Sequence, residues 1–530
     1  MSFDYIIVGA GSAGCALASR LSESGDKRIL VLEAGPGDGS IAIRIPLAAG
    51  LMNIDRFDWG YHSQPDPSRN QKSERWIRGR VVGGTSSING MNYVRGAASD
   101  YDRWAAQGNS GWDSASVLPL FRDIERCDRD SVPPSEIRGW NGALHVRMTK
   151  HPHPVTRAFI AAAQAAGHRF TQDYNSAVQE GIGYAQLTQR GRRRWSSADA
   201  FLTPALSRKN LRVITGAHVH KLLLQGTRAV GVTYERRGTC FEARSERGVL
   251  LCGGAINTPQ LLMLSGIGEG SELRKHGIRV VVDRPAVGRN LMEHPLIRMT
   301  YRVKVPTYNG IRHKTLALLK YLAQGQGPIA APFEAIAFLK TTPAQKSPDV
   351  QLHFSPTGFD VGSGPEKGAV QMMPDPSFTV LVNKNHSVSR GRLSLAAADP
   401  TVSPVIESRL LDSHEDVETL ARSVVMVRRI VASAPLSELV TEEVKPGEAC
   451  SELSAIEDYV RCNTEIAYHA SGTCRMGVDA DAVVTPDMKV RGVENLWIAD
   501  ASILPDIISG NTNAVSIMIG DKLGRALSSV

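Results

Sequence analysis

The first part of the chain alternates between compact apolar runs and a helical pattern of apolar positions. The run around Tyr5, FDYIIVG, predicts a buried parallel strand, and RILVLEA predicts a second strand that ends at Glu33. Between the two runs, Ala13, Leu17 and Leu21 share one face of a predicted helix. The order strand, helix, strand is typical of a parallel α/β unit.

Glycines fill the predicted turn between the first strand and the helix. Gly9, Gly11 and Gly14 form a G-x-G-x-x-G pattern, and Glu33 follows nineteen residues after Gly14. Gly9 permits a tight turn, Gly11 lets the backbone approach a pyrophosphate, and Gly14 lets the helix lie close to the sheet. A carboxylate at Glu33 suits ribose hydroxyls and repels a 2′-phosphate. The pattern predicts a dinucleotide site and leaves FAD and NAD both open.

Three further stretches carry glycines or polar side chains at the ends of predicted elements. GRVVGGTSSING, residues 79–90, is rich in N–H and O–H donors and suits either a phosphate and flavin edge or a structural turn. GVLLCGGAINTPQLLMLSGIG predicts a strand, a glycine turn and a helix. NLWIADASILP predicts a buried strand that ends at Asp500, before a helix whose first turn holds Asn511 and Asn513.

A different pattern occupies the region between residues 301 and 462. The stretches PDVQLHFSP, FTVLVNKN and GRLSLAAA alternate between apolar and polar positions, which predicts strands of an antiparallel sheet. The segment 357–376, rich in glycine, proline and charge, is either a lid at a pocket mouth or an ordinary surface excursion.

Composition and charge exclude several classes of protein. The chain has 530 residues, of which 42% are apolar and 22% charged, so we expect a globular protein of more than one domain. Part of the net charge of +8 lies in RGRRRW, at Arg190 and 192–194. No aromatic residues interleave with these arginines, so the run predicts a solvated loop and no nucleic-acid binding.

The cysteines and the N-terminus add two expectations. The seven cysteines show no spacing typical of a metal site, which predicts reduced thiols and no metal. The N-terminus lacks the features of a signal peptide, and no apolar run reaches the length of a membrane span. We therefore expect a cytoplasmic protein and leave a peripheral membrane contact open.

Taken together, the motifs resemble those of the glucose–methanol–choline (GMC) oxidoreductases, which are FAD-dependent alcohol oxidases and dehydrogenases. The matching stretches are GAGSAG with LEAG, GRVVGGTSSING, GAINTPQLLMLSGIG, HASGTCRMG and GNTN, and they extend over nearly the whole chain. Within the family, the chain is most similar to the choline-dehydrogenase-like enzymes and to the aryl-alcohol and hydroxymethylfurfural-type oxidases.

The resemblance implies an α/β fold, α+β overall, with two domains. A Rossmann-like FAD-binding domain is expected to combine residues 1–150, 190–300 and 463–530. A substrate-binding domain is expected from residues 151–189 and 301–462, with an antiparallel sheet that forms a roof over the flavin.

The activity implied is FAD-dependent oxidation of a primary alcohol, aromatic or medium-chain aliphatic, to the aldehyde. His469 stands among small residues and would take the hydroxyl proton while the flavin N5 takes the hydride, and Asn511 would be its partner. Oxygen, a quinone or another acceptor would remove the electrons. A lyase of the hydroxynitrile type and a light-driven fatty-acid decarboxylase are the alternatives on the same fold.

The resemblance also implies the residues that hold FAD. Some members attach FAD through a histidine in the loop after the double glycine, and Ile88 at that position implies non-covalent binding. The expected cofactor-binding residues are Gly9, Gly11, Gly14, Glu33, Gly84, Ser87, Asn89, Gly90, Met91, Asn92, Val219, Asp500, Ala501 and Asn513.

Overall fold

The computed structural model of the chain describes residues 2–46, 55–130, 132–310, 329–361 and 370–529, together with the positions 319, 321, 323 and 327. Residues 362–369, the centre of the segment predicted as a lid or a surface excursion, lie outside the described residues.

Two seven-stranded sheets organise the molecule. Their strands are β1 Ser2–Val8, β2 Ile29–Glu33, β3 Gly181–Tyr184, β4 Leu211–Thr215, β5 Ala217–Gln225, β6 Arg228–Arg236, β7 Thr239–Leu251, β8 Pro295–Val303, β9 Ala335–Leu339, β10 Val350–Ser355, β11 Ser377–Lys384, β12 Val440–Lys445, β13 Glu465–Ile466 and β14 Leu496–Ile498.

Helices cover these sheets and connect their strands. Those of at least nine residues are α1 Ser12–Leu21, α2 Ala98–Ala106, α3 Ser114–Ile124, α4 Pro154–Ala165, α5 Gly254–Leu264, α6 His414–Val431, α7 Leu453–Asn463 and α8 Asn513–Ser528. Shorter helices include Ile41–Arg44, Ala198–Leu202, Thr203–Ala205 and Gly270–Lys275. Short strands outside the two large sheets are Tyr61–His62, Arg75–Trp76, Glu125–Cys127, Leu144–Met148, Gln186–Leu187, Gln189–Arg190, Arg193–Arg194, Ile267–Gly268, Val282–Asp283, Phe359–Val361, Val370–Met372, Arg392–Ser394 and Val405–Glu407.

The first sheet has the strand order β4-β2-β1-β7-β6-β5, and β14 also pairs with β7. The strands β4, β2, β1 and β14 run parallel to their neighbours, as the continuous apolar runs predict. The hairpin of β5 and β6 adds antiparallel pairs at the other edge. The helices α1 and α8 lie close together on this sheet. Gly520 permits this approach, because a Cβ at its position would come within 2.2 Å of the carbonyl oxygen of Ala13. The predicted strand, glycine turn and helix at the N-terminus are confirmed.

The second sheet has the order β12-β8-β11-β10-β9-β3, with β13 paired to β8, and every pairing is antiparallel. One face is apolar and packs against α4 and α6. Ile297 and Met299 on β8, for example, belong to the same buried cluster as Leu420 and Val424 on α6. The intervening side chains of each strand point to the opposite face, since successive residues of a strand alternate. That second face forms the roof of the functional site.

One of the predicted strands lies elsewhere. The stretches around β10 and β11 join the second sheet, but Arg392–Ser394 pairs with Val405–Glu407 in a separate two-stranded sheet. An antiparallel strand is thus confirmed for this third stretch, but its expected place in the same sheet as the other two is wrong. The amide of Leu393 donates to the carbonyl oxygen of Gly288 and holds the strand ahead of β8. The domain boundaries stay a prediction. The strand β13 pairs with β8 although it falls inside the range 463–530 that was expected in the FAD-binding domain.

Candidate active site

A cavity of about 500 Å³ lies between the carboxyl ends of β1, β2 and β7 and the roof face of the second sheet. Crevices at this edge of a parallel sheet are the usual ligand sites of α/β folds. All sixteen of the predicted site residues line the cavity except Gly14 and Ser87. Gly14 lies where a Cβ would come within 2.0 Å of the Gly9 carbonyl oxygen, and the Ser87 hydroxyl donates to the Val82 carbonyl behind the wall.

The floor of the cavity begins at the glycine turn. Gly9 has a φ of +99°, and its missing Cβ leaves room for the carbonyl oxygen of Cys252. Gly11 and Gly84 meet across the turn, since a Cβ on Gly84 would lie 2.7 Å from the Cα of Gly11. The N-cap of α1, Gly11, has no side-chain cap, so the first amides of this helix are available to an anionic ligand.

Two buried carboxylates hold the backbone around this floor. Glu33 accepts from the amides of Ala10 and Gly35, both at 2.8 Å, and burial raises its pKa to about 7. Asp500 accepts from the amide of Gly254 at 2.9 Å and from Ser502 at 2.8 Å, which joins the start of α5 to the turn after β14. Both carboxylates line the cavity while they fix its walls.

The loop 84–92 forms one long wall of the cavity. The Oδ1 atom of Asn89 accepts from the amide of Met91 at 3.0 Å and from Nη1 of Arg194 at 2.8 Å. Arg194 is 2% exposed, whereas Arg192 and Arg193 are exposed. The prediction that this arginine run is solvated is therefore wrong for Arg194, whose side chain turns inward because strand residues alternate.

His469 lines the same cavity and is 8% exposed. Its backbone amide donates to both carboxylate oxygens of Glu293 at 2.7 Å, and the amide of His294 donates to the same carboxylate at 2.9 Å. An antiparallel bridge between Met292 and Ser471 ties the two segments together. The Glu293 carboxylate thus fixes the backbone that carries His469.

A second histidine determines which nitrogen of His469 carries a proton. His294 Nε2 faces the carbonyl oxygens of Asn385 at 2.8 Å and Ile508 at 3.0 Å. Carbonyl oxygens only accept, so this nitrogen is protonated, and in a neutral ring Nδ1 then becomes an acceptor. Nδ1 of His294 lies 2.8 Å from Nδ1 of His469, which must donate. The lone pair of His469 is therefore on Nε2.

Asn511 faces this lone pair. Its Nδ2 lies 2.9 Å from Nε2 of His469, and its Oδ1 accepts from Nε2 of Gln351 on the roof sheet at 3.1 Å. The helix α8 begins at Asn513, so the prediction that Asn511 lies in its first turn is wrong. Gly510 turns the chain before the helix at a φ of +112°. A side chain would not fit at this position, because a Cβ there would come within 2.6 Å of Val94.

The electrostatics keep His469 neutral. Burial lowers its pKa well below the usual 6.5, and the neighbouring His294, His353 and Arg78 lower it further. Burial also lowers the pKa of His294 to about 4 and that of His353 to about 4. Behind the loop, burial raises the pKa of Glu293 to about 7 although Arg78 lies 3.7 Å away. A neutral imidazole can accept a proton, whereas an imidazolium cannot.

The walls beside His469 are largely apolar. Leu296, Leu381 and His353 lie on the roof face, and Phe333 and Phe359 also line the cavity. Their neighbour Arg298 donates to the carboxylate of Glu465 at 2.8 Å, and its guanidinium lies 5.1 Å from the centroid of the Phe359 ring. Arg298 and His353 pair with Leu381 from the two neighbouring strands, so the three side chains lie on the same face of the sheet. The Arg298–Glu465 ion pair therefore faces the same space as His353.

The residues present fit FAD. Asn92 Oδ1 and Arg78 Nη2 are buried without a hydrogen-bond partner among the described residues, and both side chains line the cavity. Gly254 also lines it at a φ of +82°, and a Cβ there would meet no described atom within 4 Å and would occupy the cavity. Buried polar atoms without a hydrogen bond, a helix N-terminus without a side-chain cap and glycine-lined walls are the features that a dinucleotide with a polar ring system requires.

Sequence reasoning missed several of the residues around His469. Glu293 and His294 lie 176 and 175 positions away from it, and His353 and Gln351 lie on a strand whose alternation was read only as a sheet signal. No local pattern distinguishes these residues from the other polar positions of the chain.

The chain is similar to known proteins over nearly its whole length. Models of the GMC oxidoreductase family match residues 3–296 and 387–520. The mitochondrial choline dehydrogenase of Mus musculus is 41% identical over 98% of this chain and 88% of its own length. The oxygen-dependent choline dehydrogenase of Rhizobium johnstonii is 39% identical over 98% of this chain and 95% of its own length.

Solved structures show the same fold. Pyridoxine 4-oxidase from Mesorbium loti superposes with a TM-score of 0.89 and 28% identity, and each chain is covered completely. Formate oxidase from Aspergillus oryzae superposes with a TM-score of 0.91 over 100% of this chain and 98% of its own, at 24% identity. In the described part of the chain, no helix has the length and apolarity to cross a bilayer. The same residues contain no cluster of three or more His, Cys, Asp or Glu side chains suited to a metal ion.

Proposed function

The chain belongs to the GMC oxidoreductase family, whose members are FAD-dependent enzymes that act on CH–OH groups, and on that premise we propose that it oxidises a primary alcohol to the aldehyde. The observation that carries the proposal is the unprotonated Nε2 of a neutral, buried His469 that opens on the cavity. FAD, when bound, supplies the acceptor for the hydride that leaves the substrate carbon.

His469 is the base that takes the hydroxyl proton. Its Nδ1–H is committed to His294, so Nε2 is the atom that accepts. The carboxylate of Glu293 fixes the backbone and prevents the ring from moving away as charge develops. Proton transfer to a positioned side chain contributes about 10²- to 10⁴-fold to a rate.

Asn511 orients the alcohol. Gln351 occupies its Oδ1, which turns Nδ2 towards the cavity and His469. An amide N–H in this place donates to the alcohol oxygen, and the interaction strengthens as the oxygen becomes an alkoxide. Asn511 cannot itself remove the proton, so the two residues have separate roles.

FAD is held without a covalent bond. Ile88 lines the cavity at the position where a histidine would form the bond in some members, and its side chain offers no nucleophile. None of the remaining predicted cofactor residues that line the cavity, from Gly9 and Glu33 on the floor to Asn92 and Asn513, is a histidine.

The substrate we propose is choline, because relatives at 41% and 39% identity over 98% of this chain are choline dehydrogenases. An alcohol with an apolar body, aromatic or medium-chain aliphatic, is the second candidate. Leu296, Leu381 and Phe333 favour such a body, and the one carboxylate on the roof wall, Glu465, is paired with Arg298 among the described residues. Oxygen or a quinone would remove the electrons, and the cytoplasmic location and the peripheral membrane contact stay predictions.

An anaerobic titration tests the proposal. The purified yellow protein is mixed with benzyl alcohol, hexanol, hydroxymethylfurfural and choline while the flavin absorbance near about 450 nm is followed. We expect bleaching with choline, and the speed of recovery in air then separates an oxidase from a dehydrogenase. Bleaching with an apolar alcohol but not with choline would favour the second candidate. Absence of bleaching with every alcohol would favour a lyase, and turnover only under blue light would favour a decarboxylase.

A further inference from the structure

Arg194 is a buried cation that the proposed reaction does not yet use. The guanidinium makes four hydrogen bonds, and all four acceptors are neutral. Nε donates to the carbonyl oxygen of Ile43 at 3.0 Å, Nη2 to that of Pro46 at 3.2 Å, and Nη1 to Ser86 O at 3.3 Å and Asn89 Oδ1 at 2.8 Å. No carboxylate in the described part of the chain forms an ion pair with it.

The contrast with another buried arginine shows how unusual this is. Arg138 is equally buried, but it pairs with Glu125 at 2.8 Å and Asp173 at 2.7 Å, and those charges raise its pKa. For Arg194, burial lowers the pKa to about 9, and the charge of Asp199 offsets this only in part. A buried charge without a counter-ion is costly, and a bound anionic group would relieve that cost.

A series of contacts along the wall leads from Arg194 towards the catalytic residues. Its partner Asn89 precedes Gly90, where a Cβ would lie 3.6 Å from the Phe333 ring. The Phe333 ring lies 5.3 Å from that of His353, and His353 in turn contacts Asn511. The loop held by Arg194 therefore reaches the residues that surround the reacting alcohol.

Arg194 also determines which way the Asn89 amide points. Asn89 Oδ1 accepts from both Arg194 and the amide of Met91, so Nδ2 is the end left for the cavity. Among the described residues Nδ2 has no hydrogen-bond partner, and Asn89 lines the cavity. A donor directed at the bound ring system favours the form of the ring that carries more negative charge.

We propose that Arg194 is a positioning residue that raises the reduction potential of the bound FAD. A hydride carries two electrons and one proton, so its arrival adds one negative charge to the flavin while the hydroxyl proton goes to His469. The uncompensated guanidinium stabilises that added charge across the loop, directly and through the Nδ2 of Asn89. This inference rests on the proposed function, because it requires that FAD is the hydride acceptor.

The test compares three variants as flavin-loaded proteins. Arg194→Met removes the charge, Arg194→Lys retains it, and Arg193→Met removes the exposed arginine next to it as a matched control. The measurements are the two-electron midpoint potential and the dissociation constant of the flavin–sulfite adduct, and both report the stability of an electron-rich flavin without any substrate. Flavin content and thermal unfolding show that each variant is folded and loaded.

We expect Arg194→Met to decrease the equilibrium constant for two-electron flavin reduction roughly tenfold and to raise the dissociation constant of the sulfite adduct by a similar factor. The reason is that one unit charge acts across a protein interior. A tenfold change corresponds to about 30 mV for a two-electron couple. Arg194→Lys should stay within about threefold of the parent, and Arg193→Met should match it. An unchanged potential in a fully loaded Arg194→Met protein would overturn the inference, as would an equal decrease in the lysine variant.

Two outcomes need a further comparison. If Arg194→Met loses its flavin, Asn89→Asp decides the question, because its carboxylate neutralises Arg194 in place. A lowered potential in Asn89→Asp then supports the inference, and an unchanged one overturns it. If the parent protein itself holds no flavin, the proposed function fails first, and this inference fails with it.

Discussion

The Nδ1 atom of His294 lies 2.8 Å from the Nδ1 atom of His469, and the two rings meet nearly edge to face, at 83°. Since His294 is anchored by two carbonyl oxygens, the contact leaves one tautomer for His469. The base is therefore prepared before any substrate arrives. This arrangement leads to the first three of the following predictions.

Replacement of His469 should separate catalysis from cofactor binding. We expect His469→Ala to lose about 10³-fold or more in kcat, since the proton acceptor is gone. Its flavin content, measured from the visible absorbance of the purified protein, should match that of the parent. His414→Ala, at the exposed start of α6, is the matched control and should retain normal turnover. A His469→Ala protein with normal kcat would show that another group takes the proton.

Replacement of His294 should affect the rate through the tautomer of His469. In His294→Ala nothing accepts from Nδ1 of His469, and we expect kcat to decrease about 10²-fold with little change in KM. In His294→Asn, the Oδ1 atom can accept from Nδ1 of His469 in place of the imidazole nitrogen, so this variant should restore part of the rate. Steady-state kinetics on both variants measure this, and equal activities for the two would contradict the tautomer role.

The pH dependence should show an acid limb well below pH 6.5. Activity needs neutral His469, so it is lost as the pH falls through the pKa of this group, which burial, His294, His353 and Arg78 lower. We expect kcat/KM to be flat from pH 6.5 upward until another group titrates. The measurement is a pH profile of kcat/KM with a saturating electron acceptor. An acid limb centred at or above pH 6.5 would mean that the site stabilises the imidazolium.

Glu293 should give the protein a recognisable stability profile. Its pKa is raised from 4.5 in the unfolded chain to about 7, so its favourable contribution is complete below pH 4.5 and is lost as the pH rises to about 7. Relative to Glu293→Gln, the parent should lose about 3 kcal/mol over this window. Denaturant unfolding of both flavin-loaded proteins at several pH values measures the difference. Parallel stability curves would show that folding does not raise the pKa of Glu293.

The flavin should leave the protein when it unfolds. Ile88 offers no atom for a covalent bond, so acid or heat precipitation is expected to release the yellow chromophore into the supernatant. Absorbance of the supernatant against the pellet measures the released fraction. Colour that remains with the precipitate would indicate an attachment point elsewhere in the cavity wall.

Much of the fold could be predicted from the sequence, because its signals are local. The strand, glycine turn and helix at the N-terminus follow from apolar periodicity and from Gly9 at a φ of +99°. The family motifs also placed His469 and Asn511 in one site, and the structure brings them to 2.9 Å although they are 42 residues apart.

The rest could not be predicted, because it depends on tertiary register. His294 reaches His469 through pairing between segments far apart in the chain, and nothing local marks it. Arg194 looked like one more surface arginine, since only the position of its strand over the 86–89 loop turns it inward. Buried polar networks of this kind become visible when the partners across the fold are known.

The two faces of the roof sheet also have a consequence for how such an enzyme can diversify. On β8, β10 and β11, every second side chain belongs to the core with α4 and α6, and of the ones between, Leu296, Arg298, His353 and Leu381 line the cavity. Changes at Leu296, Leu381 or His353 can therefore reshape the space for a substrate while Ile297, Met299 and their neighbours keep the scaffold intact. The residues that line the cavity and the residues that form the core alternate along the same strands. Natural evolution or laboratory selection can therefore change the cavity residues and conserve the core residues.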